Sequence, residues 1–227
     1  MAINKIRYLD RIEAGHQLLD AIKPMADPQA VILALPRGGV PLGYVLAQAL
    51  HAPLDVLLVR KLGVPGQEEV AMGAIASGGF HFVNEEYTKA LQIEDSEIHL
   101  VIEREMQELE RREILYRSGR TSIPLQNRQV IIVDDGIATG ATMRVAVEAV
   151  RQRMAAEVII AVPVAPAQVV HSLSGVVEHI VCPLTPPNFR AVSLWYENFP
   201  QTTDEEVLDL LQTSWRELRS SKRISQA

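Results

Sequence analysis

Between Val130 and Met143 the chain reads VIIVDDGIATGATM, and its chemistry lies in two adjacent carboxylates, Asp134 and Asp135, and two hydroxyls, Thr139 and Thr142. Carboxylates accept hydrogen bonds from sugar hydroxyls and suit a hard cation, directly or through water. Gly136 and Gly140 let backbone amides approach an anion closely, and the threonine hydroxyls add donors. This combination suits a phosphorylated sugar. Stepping outward from these residues, Val130–Val133 is a short continuous apolar run, as expected of a parallel strand covered on both faces. From Met143 the pattern turns helical, which places a helix N-terminus and its unpaired N–H groups beside the same anion. A bland reading, in which the aspartates only cap that helix, accounts for one acidic residue. It leaves the second, and the Thr-Gly-x-Thr spacing, unaccounted for. A nucleoside triphosphate-binding loop is excluded, since no Gly-Lys-Ser or Gly-Lys-Thr follows and Ala141 stands where its lysine is needed.

Val31–Leu35 is a second apolar run, followed by Pro36-Arg37-Gly38-Gly39-Val40-Pro41 and a helical pattern through Leu42, Val45, Leu46 and Leu50. A guanidinium offers bidentate bonds to phosphate, and glycines admit close backbone approach. A third basic element, Arg60-Lys61, follows the predicted strand Asp55–Val59 and leads into a Gly/Pro-containing segment, Leu62–Glu69, read as a mobile loop. Ala71–Ala76 reads as a small-residue strand that admits a close neighbour.

The segment Val133-Asp134-Asp135-Gly136-Ile137-Ala138-Thr139-Gly140-Ala141-Thr142 resembles the phosphoribosyl pyrophosphate motif of type I phosphoribosyltransferases. The resemblance implies that Gly136, Ile137, Ala138, Thr139, Gly140, Ala141 and Thr142 bind the 5-phosphate and that Asp134 and Asp135 face the ribose hydroxyls. It implies that Arg37, Gly38 and Gly39 cradle pyrophosphate, and that a closing loop carries a basic contact to it, Lys61 in preference to Arg60. Asp134, Asp135 and Lys61 are therefore the expected catalytic residues. The implied reaction moves a phosphoribosyl group from phosphoribosyl pyrophosphate to a nitrogen acceptor, such as a nucleobase, and releases pyrophosphate. Mg2+ is the implied cofactor, held through substrate and water near Asp134 and Asp135 with no direct protein ligand assigned. In hypoxanthine-guanine phosphoribosyltransferases the residue before Thr-Gly is an acid that serves proton transfer, and a lysine follows the glycine. Here those positions are Ala138 and Ala141, which argues against a standard 6-oxopurine enzyme. A rival reading stays open: a regulator that senses phosphoribosyl pyrophosphate without turning it over.

Alternating strands and helices predict an α/β fold with a mainly parallel sheet flanked by helices, type I phosphoribosyltransferase-like, with a hood from the terminal segments. Residues 1–227 read as one domain with its core at about 28–187. Tyr8, Ile12, Leu19 and Ile22 predict an N-terminal amphipathic helix. Asp95–Arg120 predicts a long charged helix that buries Ile98, Val101, Ile102, Met106 and Leu109 and solvates its Glu/Arg face. Val158–Val162 and Ile180–Pro183 are further strands. Phe189, Trp195 and Tyr196 either stack on an acceptor base or fill a core or interface. Asp204-Glu205-Glu206 opens a helix, and Arg216–Arg223 reads as its frayed end or a tail.

The composition fits an enzyme-sized core, with 48% hydrophobic residues. A single cysteine, Cys182, excludes an internal disulfide, and the scattered histidines give no zinc pattern. Its setting, Ile180-Val181-Cys182-Pro183, suits a buried strand residue rather than a nucleophile. The Met1–Lys5 start lacks a secretory signal and no apolar run spans a bilayer, so cytoplasm and no membrane partner are expected. A net charge of -6 argues against nucleic acid as a partner. A homo-oligomer stays open.

Overall fold

A computed structural model describes residues 7–224. In chain order the elements are α1 (Arg11–Ile22), β1 (Val31–Ala34), α2 (Gly39–Leu50), β2 (Leu54–Val56), β3 (Val59–Val64), β4 (Gln67–Ala76), β5 (Phe80–Val83), α3 (Glu85–Ala90), α4 (Asp95–Arg117), β6 (Gln129–Val133), α5 (Ala141–Gln152), β7 (Glu157–Ala161), α6 (Ala167–Leu173), β8 (His179–Val181) and α7 (Asp204–Ile224). Five strands form a parallel sheet in the order β2-β1-β6-β7-β8, the mainly parallel α/β plan expected of the sequence.

The apolar runs work because side chains alternate across the sheet. Ile32, Ala34, Ile131, Val133, Ile159 and Ala161 join one core, which includes Leu18, Leu46, Leu211 and Trp215 from the helices on that face. Val31, Leu33, Val130, Ile132, Val158 and Ile160 join the other, with Ala146, Val147 and Val150 of α5. Burial on both faces fixes the register, since a one-residue slip would exchange the two cores. Both loops that carry the candidate chemistry leave the carboxyl ends of neighbouring central strands, β1 and β6, where ligands bind in open α/β sheets.

Three elements differ from the sequence reading. Asp55–Val59 is not one strand: the chain leaves the parallel sheet at Leu57 and Leu58, where the Leu58 N–H donates to Ser77 Oγ at 2.9 Å and the Ser77 N–H returns to the Leu58 carbonyl. The expected mobile loop Leu62–Glu69 is a hairpin of β3 and β4, continued by β5 into an antiparallel three-stranded sheet. Gly66, at φ 76, makes its turn, and Gly73 admits β5, whose Phe82 oxygen would lie 2.2 Å from a Cβ placed there. Finally α4 stops at Arg117, because Ser118 and Gly119 turn left-handed. Its charged face is also not wholly solvated: Glu105 and Arg117 are buried, on Arg60 and Asp55 respectively.

At the N-terminus, α1 buries Ala14, Gly15, Leu18 and Ile22, while Ile12 is exposed. Tyr8 precedes the helix and bridges to Tyr196, and Glu197 and Asn198 donate backbone bonds to Tyr8 and Leu9. The two terminal regions thus form a joint cover. At the other end α7 runs to Ile224, so Arg216–Arg223 continues a helix. The Met1–Lys5 start lies outside the described residues. Among these, no helix is long and apolar enough to cross a membrane.

Candidate active site

The two loops touch, and glycine is the reason. A Cβ on Gly39 would lie 2.5 Å from the Val133 oxygen, and one on Gly38 would lie 2.0 Å from Asp135 Oδ2. The Pro36-Arg37-Gly38-Gly39 turn is therefore pressed against the end of β6, which brings Arg37 and the paired carboxylates into one site. The Pro36–Arg37 peptide is cis. Gly39→Ala is expected to lower the melting temperature by about 5 °C or more, since backbone must move and overpacking costs on the order of 1–3 kcal/mol. Thermal denaturation followed by circular dichroism checks this; an unchanged midpoint would show that the contact is soft.

Along the second loop, the Ile137 N–H donates to the Val164 oxygen at 3.0 Å and the Ile137 side chain is buried, so this residue anchors the loop instead of offering a free donor. Ala138 and Thr139 are exposed. Gly140, at φ 81, turns the chain into α5 with no side-chain cap, and Ala141 and Thr142 open the helix at the surface. The first-turn N–H groups of an uncapped helix are suited to a phosphate.

Asp134 and Asp135 are half-buried, and each accepts a different bond. Asp134 Oδ1 accepts from the Asp135 N–H at 2.8 Å, and Asp135 Oδ2 accepts from Arg11 Nε at 2.9 Å. Burial pushes the Asp134 carboxyl well above the ordinary carboxylate range, and the charge of Asp135 adds to the shift. Asp135 is also raised by burial, with the Arg11 guanidinium opposing. Two oxygen-donor groups that resist ionisation fit a hard divalent cation, whose charge would favour both carboxylates. These two groups, one of them held by Arg11, do not make a coordination shell, so a cation beside them would be held through substrate and water. Among the described residues no cluster of three or more acidic, histidine or cysteine side chains could hold a metal alone.

Arg11 and Phe199 do not stand out in the sequence, and Tyr196 takes a bracing place. Arg11 lies 124 positions from Asp135, sits 3.8 Å above the centroid of the Phe199 ring, and donates to the Pro200 carbonyl at 2.7 Å. Tyr196 donates its hydroxyl to the Asp135 carbonyl at 2.6 Å and is buried against Tyr8 and Phe199. Tyr196 therefore braces the loop and presents no open stacking face, while Phe189 and Trp195 pack on the core. Phe199 instead lines a cleft of about 420 Å3 with Arg11, Arg37, Gly38, Asp135 and Gln201. Arg37 Nη1 meets Asp204 Oδ1 at 3.4 Å, and that carboxylate accepts from the Tyr116 hydroxyl at 2.6 Å. The Tyr116 bond, followed by Arg37, holds the Asp204 carboxyl below its ordinary range.

Lys61 is not brought to these groups. It projects from β3 into a separate cavity of about 610 Å3 between the antiparallel sheet and α5, shared with Ala141, Thr142 and Arg144 at the start of α5. Arg60 faces the other way, bound to Glu105 at 2.6 Å. Cys182 is half-buried, and burial pushes its thiol up to about 11, which suits packing and not nucleophilic attack.

The phosphoribosyl transferase domain matches residues 10–170, a span that includes Arg11, Arg37, Lys61 and the whole Asp134–Thr142 loop. The chain belongs to this family. A predicted phosphoribosyl transferase of Mycobacterium tuberculosis strain H37Rv is 41% identical over 218 residues, which is 96% of this chain and 49% of that protein. The chain thus spans about half the length of the curated relatives it matches. The crystal structure of TT1426 from Thermus thermophilus aligns with a TM-score of 0.78 at 37% identity, over 90% of this chain and 97% of that one. AQ2163 from Aquifex aeolicus shares the fold at 12% identity, with a TM-score of 0.50 over 88% of this chain and 82% of that one. In this phosphoribosyltransferase-family chain, the cover built from Tyr196, Phe199 and Asp204 lies beyond the matched span.

Proposed function

We propose that the protein transfers a 5-phosphoribosyl group from phosphoribosyl pyrophosphate to a nitrogen acceptor, releasing pyrophosphate. The carrying observation is the contact of the Arg37-Gly38-Gly39 turn with the end of β6, which sets a guanidinium beside the paired carboxylates, with the uncapped N-terminus of α5 following on the same loop. The sugar C1–oxygen bond to pyrophosphate breaks, the C1–nitrogen bond forms, and a proton leaves the acceptor nitrogen. Thr139, Gly140, Ala141 and Thr142 hold the 5-phosphate; Asp134 and Asp135 orient the ribose hydroxyls, with Arg11 fixing the Asp135 carboxylate. Mg2+, bound through substrate and water, supplies charge neutralisation at the leaving group. The cover of Tyr196 and Phe199 limits water near the reactive sugar.

In this reading the acceptor enters the cleft bounded by Arg11, Phe199 and Gln201, with a nucleobase as the preferred class because the Arg11 guanidinium lying on the Phe199 ring gives that wall a flat surface. Ala138 supplies no general base, and in this reading the acceptor nitrogen passes its proton to water or to departing pyrophosphate. Residues 1–227 act as one unit in this proposal, in the cytoplasm, without nucleic acid or membrane. The test is a panel of purine, pyrimidine and other nitrogen acceptors with phosphoribosyl pyrophosphate and Mg2+, following pyrophosphate release and new nucleotide mass. Release of pyrophosphate with a matching nucleotide is expected; no product with any acceptor overturns transfer and favours a sensing role for the same site.

Arg37 reaches pyrophosphate only by leaving Asp204. That pair is half-exposed and long, so parting it costs about 1 kcal/mol or less, while charge-assisted bonds to phosphate return roughly 1.5–3 kcal/mol. Arg37→Ala is accordingly expected to weaken pyrophosphate about tenfold and ribose 5-phosphate by less than twofold. Calorimetric titration of both ligands checks this, and equal losses would count against two separate cradles.

A further inference from the structure

At the other end of the parallel sheet, where Pro53 leads into β2, a pocket of about 360 Å3 opens between the C-terminal end of α4 and α7. Arg117, Arg120 and Arg219 line it, with Asp55, Thr121 and Trp215. The catalytic loops follow the carboxyl ends of β1 and β6, so this pocket is distinct from them. Its charges do not balance. Arg117 is buried and fully engaged, with Asp55 Oδ1 at 3.0 Å, Glu113 Oε1 at 2.9 Å and the Val56 carbonyl at 3.1 Å. Both nearby acids are thereby consumed. Neither Arg120 nor Arg219 has an acidic partner among the described residues. Arg120 rests 4.2 Å from the centroid of the Trp215 ring. Burial, and then the charge of Arg219, pushes the Arg120 guanidinium below its ordinary range. Two mutually repelling guanidiniums thus face one pocket, in a chain whose net charge is -6.

We propose that this pocket binds a small phosphate-bearing anion. Arg120 and Arg219 donate to the phosphate oxygens, the fixed Arg117–Asp55 pair forms the rear wall, and Trp215 forms an apolar side for the organic part of the ligand. Guanidinium forks match the tetrahedral, multiply accepting phosphate, and an anion between them removes their repulsion. The Trp215 indole N–H already donates to the Leu54 carbonyl at 2.8 Å, so the ring is fixed and serves as a wall. The position also gives the ligand a structural lever. It would clamp α4 to α7, the two helices whose other junction, Tyr116 with Asp204, holds Arg37.

The chain has two tryptophans, so Trp195→Phe leaves Trp215 as a lone reporter inside the pocket. Inorganic pyrophosphate is titrated into this single-tryptophan protein at constant ionic strength. A saturable change in Trp215 emission is expected as Arg120 turns from the ring to the anion. Adding Arg219→Ala is expected to weaken the response about tenfold, the scale of one charge-assisted contact, and Arg219→Lys to restore most of it. Adding Arg37→Ala instead should leave the Trp215 response unchanged, because pyrophosphate at the catalytic loops is read by Arg37. Circular dichroism verifies that each variant folds. A response that never saturates, that survives Arg219→Ala, or that disappears with Arg37→Ala overturns the site.

Discussion

Asp134→Asn is expected to weaken phosphoribosyl pyrophosphate binding while making the ligand-free protein more stable at neutral pH. The Asp134 carboxyl is raised well above its ordinary value by burial and by Asp135, so the folded state holds this proton to higher pH than the unfolded chain does. As pH rises from about 4 through the folded pKa, the unfolded state has already released its proton. Folded stability therefore falls across that window and the cost persists above it. Asparagine keeps an oxygen to accept the Asp135 N–H and never ionises. Its melting temperature should exceed that of the parent by several degrees at pH 7–8, on the scale of ~1.4 kcal/mol per pKa unit, with the gap closing toward pH 4. Combined with Asp135→Asn, affinity for phosphoribosyl pyrophosphate should fall by roughly 10²-fold or more, as charge-assisted contacts are lost. Melting curves across pH and calorimetry on the same samples read both effects. Full binding by a folded double variant would remove the carboxylates from the site, and a gap independent of pH would remove their titration from the stability argument.

That opposition between stability and function arises from how local and distant residues divide the site. The motif from Val133 to Thr142 was legible because strand, carboxylates, glycines and helix start are contiguous, and their periodicities carry the physics. The second turn was legible for the same reason. What sequence cannot display is the partner that crosses the fold. Arg11 reaches Asp135 only because Tyr8 pairs with Tyr196 and seats α1 over the loop, and Phe199 reaches Arg11 through the same pairing. Nothing in the spacing of Arg11 marks it out among the chain's other arginines. The hairpin failed differently. Its charges and its Pro65-Gly66 turn have the composition of a loop, while Leu62, Val64, Met72 and Ile75 join the main core; that burial and the pairing with β5 supply the order that local propensity does not. The aromatic cover was visible as a composition, but which ring would face the cleft depended on the Tyr196 hydroxyl finding the Asp135 carbonyl.

The hairpin also decides what can be expected of Lys61. Its side chain is exposed, and it shares its cavity with Thr142 and not with Arg37 or Asp135. A catalytic role therefore requires the antiparallel sheet to shift toward the cleft when substrate binds, as a closing element that excludes water and delivers charge to the leaving group. Contacts made only in that closed state stabilise the transition state more than the ground state. Lys61→Ala is expected to lower the single-turnover rate by a factor on the order of 10² to 10³, the scale of one preorganised electrostatic contact, while equilibrium affinity for phosphoribosyl pyrophosphate changes by less than about threefold. Arg60→Ala serves as the contrast. It removes one of the two guanidiniums on Glu105, which is 11% exposed at its side chain and keeps only Arg104, and so should lower the melting temperature while leaving the rate per folded molecule near that of the parent. Rates and affinities measured on both variants with one identified acceptor separate the two roles. An unchanged rate in Lys61→Ala would leave the hairpin as a wall of the 610 Å3 cavity and return charge stabilisation to Arg37 alone.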